Sequence, residues 1–167
     1  MRVVPNTAVL FVDQDGTLKQ SEPFANSSSQ FDLSKTGAML TFATPKKFAA
    51  GQVISPGAWE FQFWTGGSPN SHATLKLEFG YCSSSCTVKT PIINSNAGWN
   101  PTIAGGLAGV VTSKGAFTTT SPTILPPGGP YQLYLSMTVQ NPGALSLLYG
   151  SAITPTNIAT PVVLPDP

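Results

Sequence analysis

Two carboxylates two residues apart are the sharpest chemical feature of this chain. Asp13 and Asp15 follow the apolar run Val9-Leu10-Phe11-Val12 and lead into Gly16-Thr17. An aspartate at a strand end can attack an electrophile while a neighbouring acid moves a proton, and the same residues can close a tight Asp-Gly turn. Other chemical groups are sparse. His72 is the one histidine, and a serine nucleophile using it as base would lack a nearby aspartate to orient the ring. Glu60 and Glu78 form the one candidate pair for glycoside hydrolysis, which needs two carboxylates about 5 to 9 Å apart. They take outward positions in two alternating segments, 58–65 and 72–81. If those segments pair as a hairpin, Glu60 faces Lys76 and forms a surface ion pair instead. Cys82 and Cys86 sit where a tight loop joins two strands, close enough to bridge if their Cβ atoms face each other. Bridged and free thiols both stay open on that spacing. Zinc asks for about four ligands, which one histidine and two cysteines do not supply. No metal or other cofactor is expected.

The run Val9 to Thr17 resembles the first motif of haloacid-dehalogenase-type phosphatases, an apolar strand followed by Asp-x-Asp-Gly-Thr. That resemblance implies a nucleophilic Asp13, an acid-base Asp15 and a magnesium ion held with a later acidic pair. The remaining acids are Glu22, Asp32, Glu60, Glu78 and Asp166, none adjacent, and the alternating helices of that fold are missing, so a plain hairpin is expected. A calcium loop fails too, because glycine is absent from its sixth position and glutamate from its twelfth.

Charge is low throughout. Asp, Glu, Lys and Arg make 9% of 167 residues, against about 25% in ordinary soluble domains. Net charge is +1, which offers no field for nucleic acid or an anionic membrane; neither is expected as a partner. No apolar run reaches the roughly 20 residues of a membrane span, and Pro5, Asp13 and Asp15 break any secretory leader pattern after Met1. A chain made and assembled in a cytoplasm is the expectation. With 41% hydrophobic residues the chain has a core to bury, and 16 Gly with 16 Pro punctuate it too often for long helices.

The elements that would position these groups are strands. Residues 7–12 and 17–20 flank the Asp-Gly turn. Residues 21–36 are polar and serine-rich, with Phe24, Phe31 and Leu33 as isolated anchors, so residues 1–36 read as an N-terminal β-hairpin arm and linker that lies on a neighbouring subunit or lattice. From residue 37 onward the period is two. Trp59, Phe61 and Phe63 share one face of their segment, Leu75, Leu77, Phe79 and Tyr81 one face of the next, as in antiparallel sheets with one buried side. Further strands are expected at 38–44, 87–93, 109–120, 131–140, 144–149 and 159–164. Glycine and proline clusters at 66–70, 126–130 and 141–143 supply the turns, and 94–107 is the longest irregular stretch. The fold class is all-β, an antiparallel jelly-roll (Greek-key) sandwich over 37–167.

Two exposed aromatics remain. Trp64 is outward and Trp99 lies in the long loop, positions that suit a subunit interface or a platform for a sugar ring. The texture of Trp59 to Trp64, Leu75 to Tyr81, Leu147 to Gly150 and Thr160-Pro161 resembles the jelly-roll modules of phage capsid-decoration, head-fibre and tail proteins and of some bacterial surface proteins. That resemblance implies a non-enzymatic structural protein of a virion, assembled in a host cytoplasm, or of a cell surface. Its partners would be copies of itself and a capsid or surface lattice protein. The alternative is a carbohydrate-binding module with a glycan partner; a hydrolase on Glu60 and Glu78 is weaker.

Overall fold

The computed structural model describes residues 8–20, 23–45, 47–67, 70–83, 86–93, 100–104, 111–152, 154 and 156–162, the backbone alone for 111–117. Among these residues there are strands and no helix: β1 (Ala8–Val12), β2 (Leu18–Lys19), β3 (Ser29–Asp32), β4 (Met39–Ala43), β5 (Val53–Ile54), β6 (Gly57–Gly67) and β7 (His72–Cys82) in the first half. The second half adds β8 (Lys89–Ile93), β9 (Thr102–Ala104), β10 (Val111–Thr119), β11 (Thr123–Ile124), β12 (Gln132–Asn141), β13 (Leu145–Tyr149) and β14 (Asn157–Thr160). They build the all-β antiparallel sandwich that the alternation demands.

A seven-stranded sheet is centred on β6. β10 runs along one side of it, and β13 and β14 share the other, opposite its C-terminal and N-terminal halves. β3 then pairs β13, β1 pairs β14, and β2 closes a hairpin with β1. The second, five-stranded sheet runs β4-β12-β7-β8, with β9 also on β7. β5 and β11 form a small separate ribbon. At one corner the Ala43 amide donates to the Gly16 carbonyl at 3.2 Å, tying an edge of one sheet to the hairpin of the other.

The core lies between the sheets. Trp59, Phe61 and Phe63 of β6 meet Leu75, Leu77 and Phe79 of β7 there, all at 0% exposure, with the Trp59 and Phe79 ring centroids 4.9 Å apart. Full burial of such side chains contributes about 1.5–3 kcal/mol each. The shared apolar face is therefore real, but the expected hairpin is not: β6 and β7 belong to opposite sheets. Alternation fixes which face of a strand is buried; it does not fix which strand lies beside it. Gly67 marks the departure, at φ 140, where an added Cβ would lie 2.6 Å from the Leu145 Cα.

The described part of residues 1–36 belongs to the same sandwich. Leu10, Val12, Leu18 and Leu33 are 0–1% exposed, and β1 lies within the large sheet while β3 forms one of its edges. The alternation Leu10, Val12 on β1 supplies a buried face of its own, so this segment is ordered by the chain's own core. Residues 1–7, 21 and 22 lie outside the described residues.

Candidate functional site

The Asp13/Asp15 motif is a turn. Asp13 N donates to the Thr17 carbonyl at 3.0 Å and Gly16 N to the Asp13 carbonyl at 3.2 Å, with Gly16 at φ 83. Both carboxylates hold Lys19, at 3.2 and 2.8 Å, and Thr17 donates to Asp15. The Lys19 and Thr17 hydrogen bonds keep the Asp15 carboxyl below its ordinary range, and Lys19 is raised in turn by Asp15 and Asp13. Charges so tied close a hairpin. Among the described residues no three of His, Cys, Asp and Glu gather as a metal would need; Glu22 and Asp166 lie outside them.

Glu60 does not face Lys76. Its register partners are Ala116 and Ala159, and it stands on the outer face of the seven-stranded sheet, whereas Glu78 and Lys76 stand on the outer face of the other. The whole core separates the two carboxylates, so they cannot flank one bond. His72 is exposed at the start of β7, opposite Ala104. Cys82 and Cys86 are joined in a disulfide with their Cα atoms 4.7 Å apart, closing a loop in which Cys86 takes φ 54.

Two surfaces remain with functional character. On the outer face of the large sheet, Trp64 lies opposite Leu148, Gln62 opposite Asn157, Asn157 opposite Phe11 and Ala159 opposite Val9. Trp64, Phe11 and Leu148 are half-buried and Val9 is 36% exposed. The face is thus aromatic and aliphatic, with amides and the Glu60 carboxylate between. Trp99 lies outside the described residues, so of the proposed aromatic pair only Trp64 has a place in this geometry.

The outer face of the five-stranded sheet is polar. Register aligns Thr41, Ser136 and Glu78 in one row and Met39, Thr138 and Lys76 in the next. The Tyr134 hydroxyl donates to Glu78 Oε2 at 2.6 Å, Thr41 and Ser136 share a hydrogen bond of 2.8 Å, and Lys89 Nζ lies 5.7 Å from the Tyr134 ring centroid. Burial first, then the Glu78 carboxylate, pushes the Tyr134 phenol well above its ordinary value, so it stays a donor. Between these side chains is an open groove of about 170 Å³. Sequence reasoning passed over Tyr134, Ser136 and Lys89. The alternation of Tyr134, Ser136 and Thr138 against Leu133, Leu135 and Met137 was the signal available.

No family model and no curated protein matches this chain. Its fold is similar to part of a CocE/NonD family hydrolase from Staphylococcus aureus, with TM-score 0.66 and 8% identity over 95% of this chain and 36% of that one. An aminopeptidase from a marine sediment Thaumarchaeota archaeon gives TM-score 0.61 and 10% identity over 93% of this chain and 36% of its own. An α-amino acid ester hydrolase gives 0.61 and 12% over 94% and 36%. A tailspike domain of bacteriophage CBA120 and the structure of infectious bursal disease virus Gx strain also align, at TM-scores of only 0.37 and 0.40. The chain spans about a third of the length of the hydrolase-named structures it resembles.

These neighbours correct the expectation that the chain is non-enzymatic. Sandwiches of this shape form part of chains named hydrolase, aminopeptidase and ester hydrolase. Low charge in one module therefore sets no limit on the activity of a polypeptide that contains it. No helix among the described residues is long and apolar enough to cross a membrane.

Proposed function

We propose that this chain is a β-sandwich docking module of a larger structural assembly, acting through the outer face of its seven-stranded sheet. The observation that carries this reading is the outer face on which Trp64 of β6 lies opposite Leu148 of β13, while across β14 Phe11 and Val9 of β1 lie in row with Asn157 and Ala159. Interface cores are enriched in aromatic residues and depleted of charge, and on this face the amides Gln62 and Asn157 lie opposite each other in the row next to Trp64. Its charges are Glu60 on the central strand, opposite Ala116 and Ala159, Lys114 at the register position opposite Gln62, and Lys19 opposite Phe11. Trp64, near the C-terminal end of the long central strand, is the natural anchor.

A virion or surface lattice is the assembly this reading favours, with copies of the chain or a lattice protein as partner, because permanent interfaces are the more apolar ones and Trp64, Leu148, Phe11 and Val9 share this face. The hydrolase-named structures fit the same reading, since in each the aligned sandwich is joined to a larger remainder of the chain.

Self-association of the full chain tests it. Light scattering across a concentration series should show an oligomer for the parent and a monomer for Trp64→Ala, with the thermal midpoint nearly unchanged. A parent that stays monomeric at every concentration, or a Trp64→Ala variant that associates like the parent, overturns docking between copies through this face.

A further inference from the structure

From the groove on the five-stranded sheet we infer that the chain binds a carboxylated saccharide, a uronic acid unit, at a site separate from the docking face. The groove is lined by Met39, Lys76, Glu78, Lys89, Ser136 and Thr138, with Leu77 beneath. Its charges are two ammonium groups and one carboxylate. Among the described residues Lys76 has no carboxylate partner, and Lys89 lies over the Tyr134 ring without an ion pair.

Glu78 decides the ligand class. The fully buried Tyr134 fixes its carboxylate through Oε2, so it cannot swing away, and no described residue bonds Oε1. A ligand with only negative charge, such as an acidic peptide, would meet the lysines but also this held carboxylate. A uronate offers both complements: its carboxylate pairs the lysines, and its ring hydroxyls donate to Glu78 Oε1 and exchange hydrogen bonds with Thr138. Ser136, at 6% exposure and already bonded to Thr41, forms the polar floor. Met39, 60% exposed, supplies an apolar surface for the C–H face of a sugar ring. Strand neighbours about 4.8 Å apart keep these groups in fixed register.

The inference is independent of the docking reading, because the two faces lie on opposite sides of the core. Calorimetric titration of the full chain with an oligogalacturonate, the matching neutral oligogalactoside and oligoglutamate tests it. The oligogalacturonate should bind at least roughly tenfold more tightly than either of the others. Lys76→Gln should weaken it by about tenfold, and Glu78→Gln, which keeps an acceptor for Tyr134, should narrow the preference over oligoglutamate. Trp64→Ala should bind like the parent. Equal binding of all three probes, no binding of the oligogalacturonate, an unaffected Lys76→Gln, or loss of binding in Trp64→Ala would each overturn the inference.

Discussion

Truncating Trp59 tests whether the two sheets are held by the packing described between β6 and β7. The indole is 0% exposed, its ring lies 4.9 Å from that of Phe79, and its Nε1 donates to Thr119 Oγ1 at 3.0 Å. Removing a buried aromatic to alanine costs about 3–5 kcal/mol, the transfer of the ring plus the cavity it leaves. The lost hydrogen bond adds little, because Thr119 Oγ1 keeps partners in the Gly57 amide and carbonyl, at 3.1 and 3.3 Å. For a domain of this size each kcal/mol moves the melting midpoint by about 2–4 °C, so Trp59→Ala should melt about 6–20 °C below the parent. Trp59→Phe keeps the contact with Phe79 and should recover more than half of the loss. Differential scanning calorimetry at neutral pH reads both. A drop below about 2 °C for Trp59→Ala would mean that the indole is not in the core and that the pairing of faces across the sandwich is wrong.

Replacing Cys82 and Cys86 together by serine opens a loop of sequence separation 4, which the chain-entropy relation values at about 2 kcal/mol; an unchanged midpoint in the double variant would show that the bridge does not form. Lys19 and Thr17 hold the Asp15 carboxyl below its ordinary 3.8. Its contribution is therefore full above that value and lost as pH falls through the lowered folded-state value. On so exposed a turn it amounts to a few tenths of a kcal/mol, so Asp15→Asn should differ slightly from the parent at pH 6 and coincide with it at strongly acid pH; a gap that widens on acidification refutes the hairpin account. Gly67→Ala forces a Cβ to 2.6 Å from the Leu145 Cα at φ 140, a strain of about 1–3 kcal/mol or more. A variant as stable as the parent would place the crossover between sheets elsewhere.

The strands with strong alternation were legible in the sequence nearly residue by residue, because burial of one face leaves a period-two imprint. Trp59, Phe61 and Phe63, and Leu75, Leu77 and Phe79, are inward as their spacing requires. β3 was not legible: Ser29–Asp32 is an edge strand whose pattern never reaches full burial, so its polar sequence reads as linker. The partnership of strands was not legible either, since nothing in Glu60 or Lys76 says that their strands face each other across a core rather than side by side. The groove escaped for the same reason. Tyr134 stands 56 residues from Glu78 in the chain, and only register brings it beside Glu78 and Lys89.

The large sheet sets an order of events for the growing polypeptide. β1 is made first and pairs β2 on one edge, yet its partner on the other is β14, and the Thr160 hydroxyl bonds the Ala8 carbonyl across a sequence separation of 152. β6 likewise waits for β10, β13 and β14, because its sequence neighbour β7 leaves for the opposite sheet. Pairings this distant must close a long loop before any contact repays the entropy, which places the fold among slow, high-contact-order topologies. During synthesis the edges of β1 and β6 that pair β14 therefore stay open until residue 160 has left the ribosome. A truncation anywhere before β14 would leave the central strand with an open side and expose the nascent chain to aggregation.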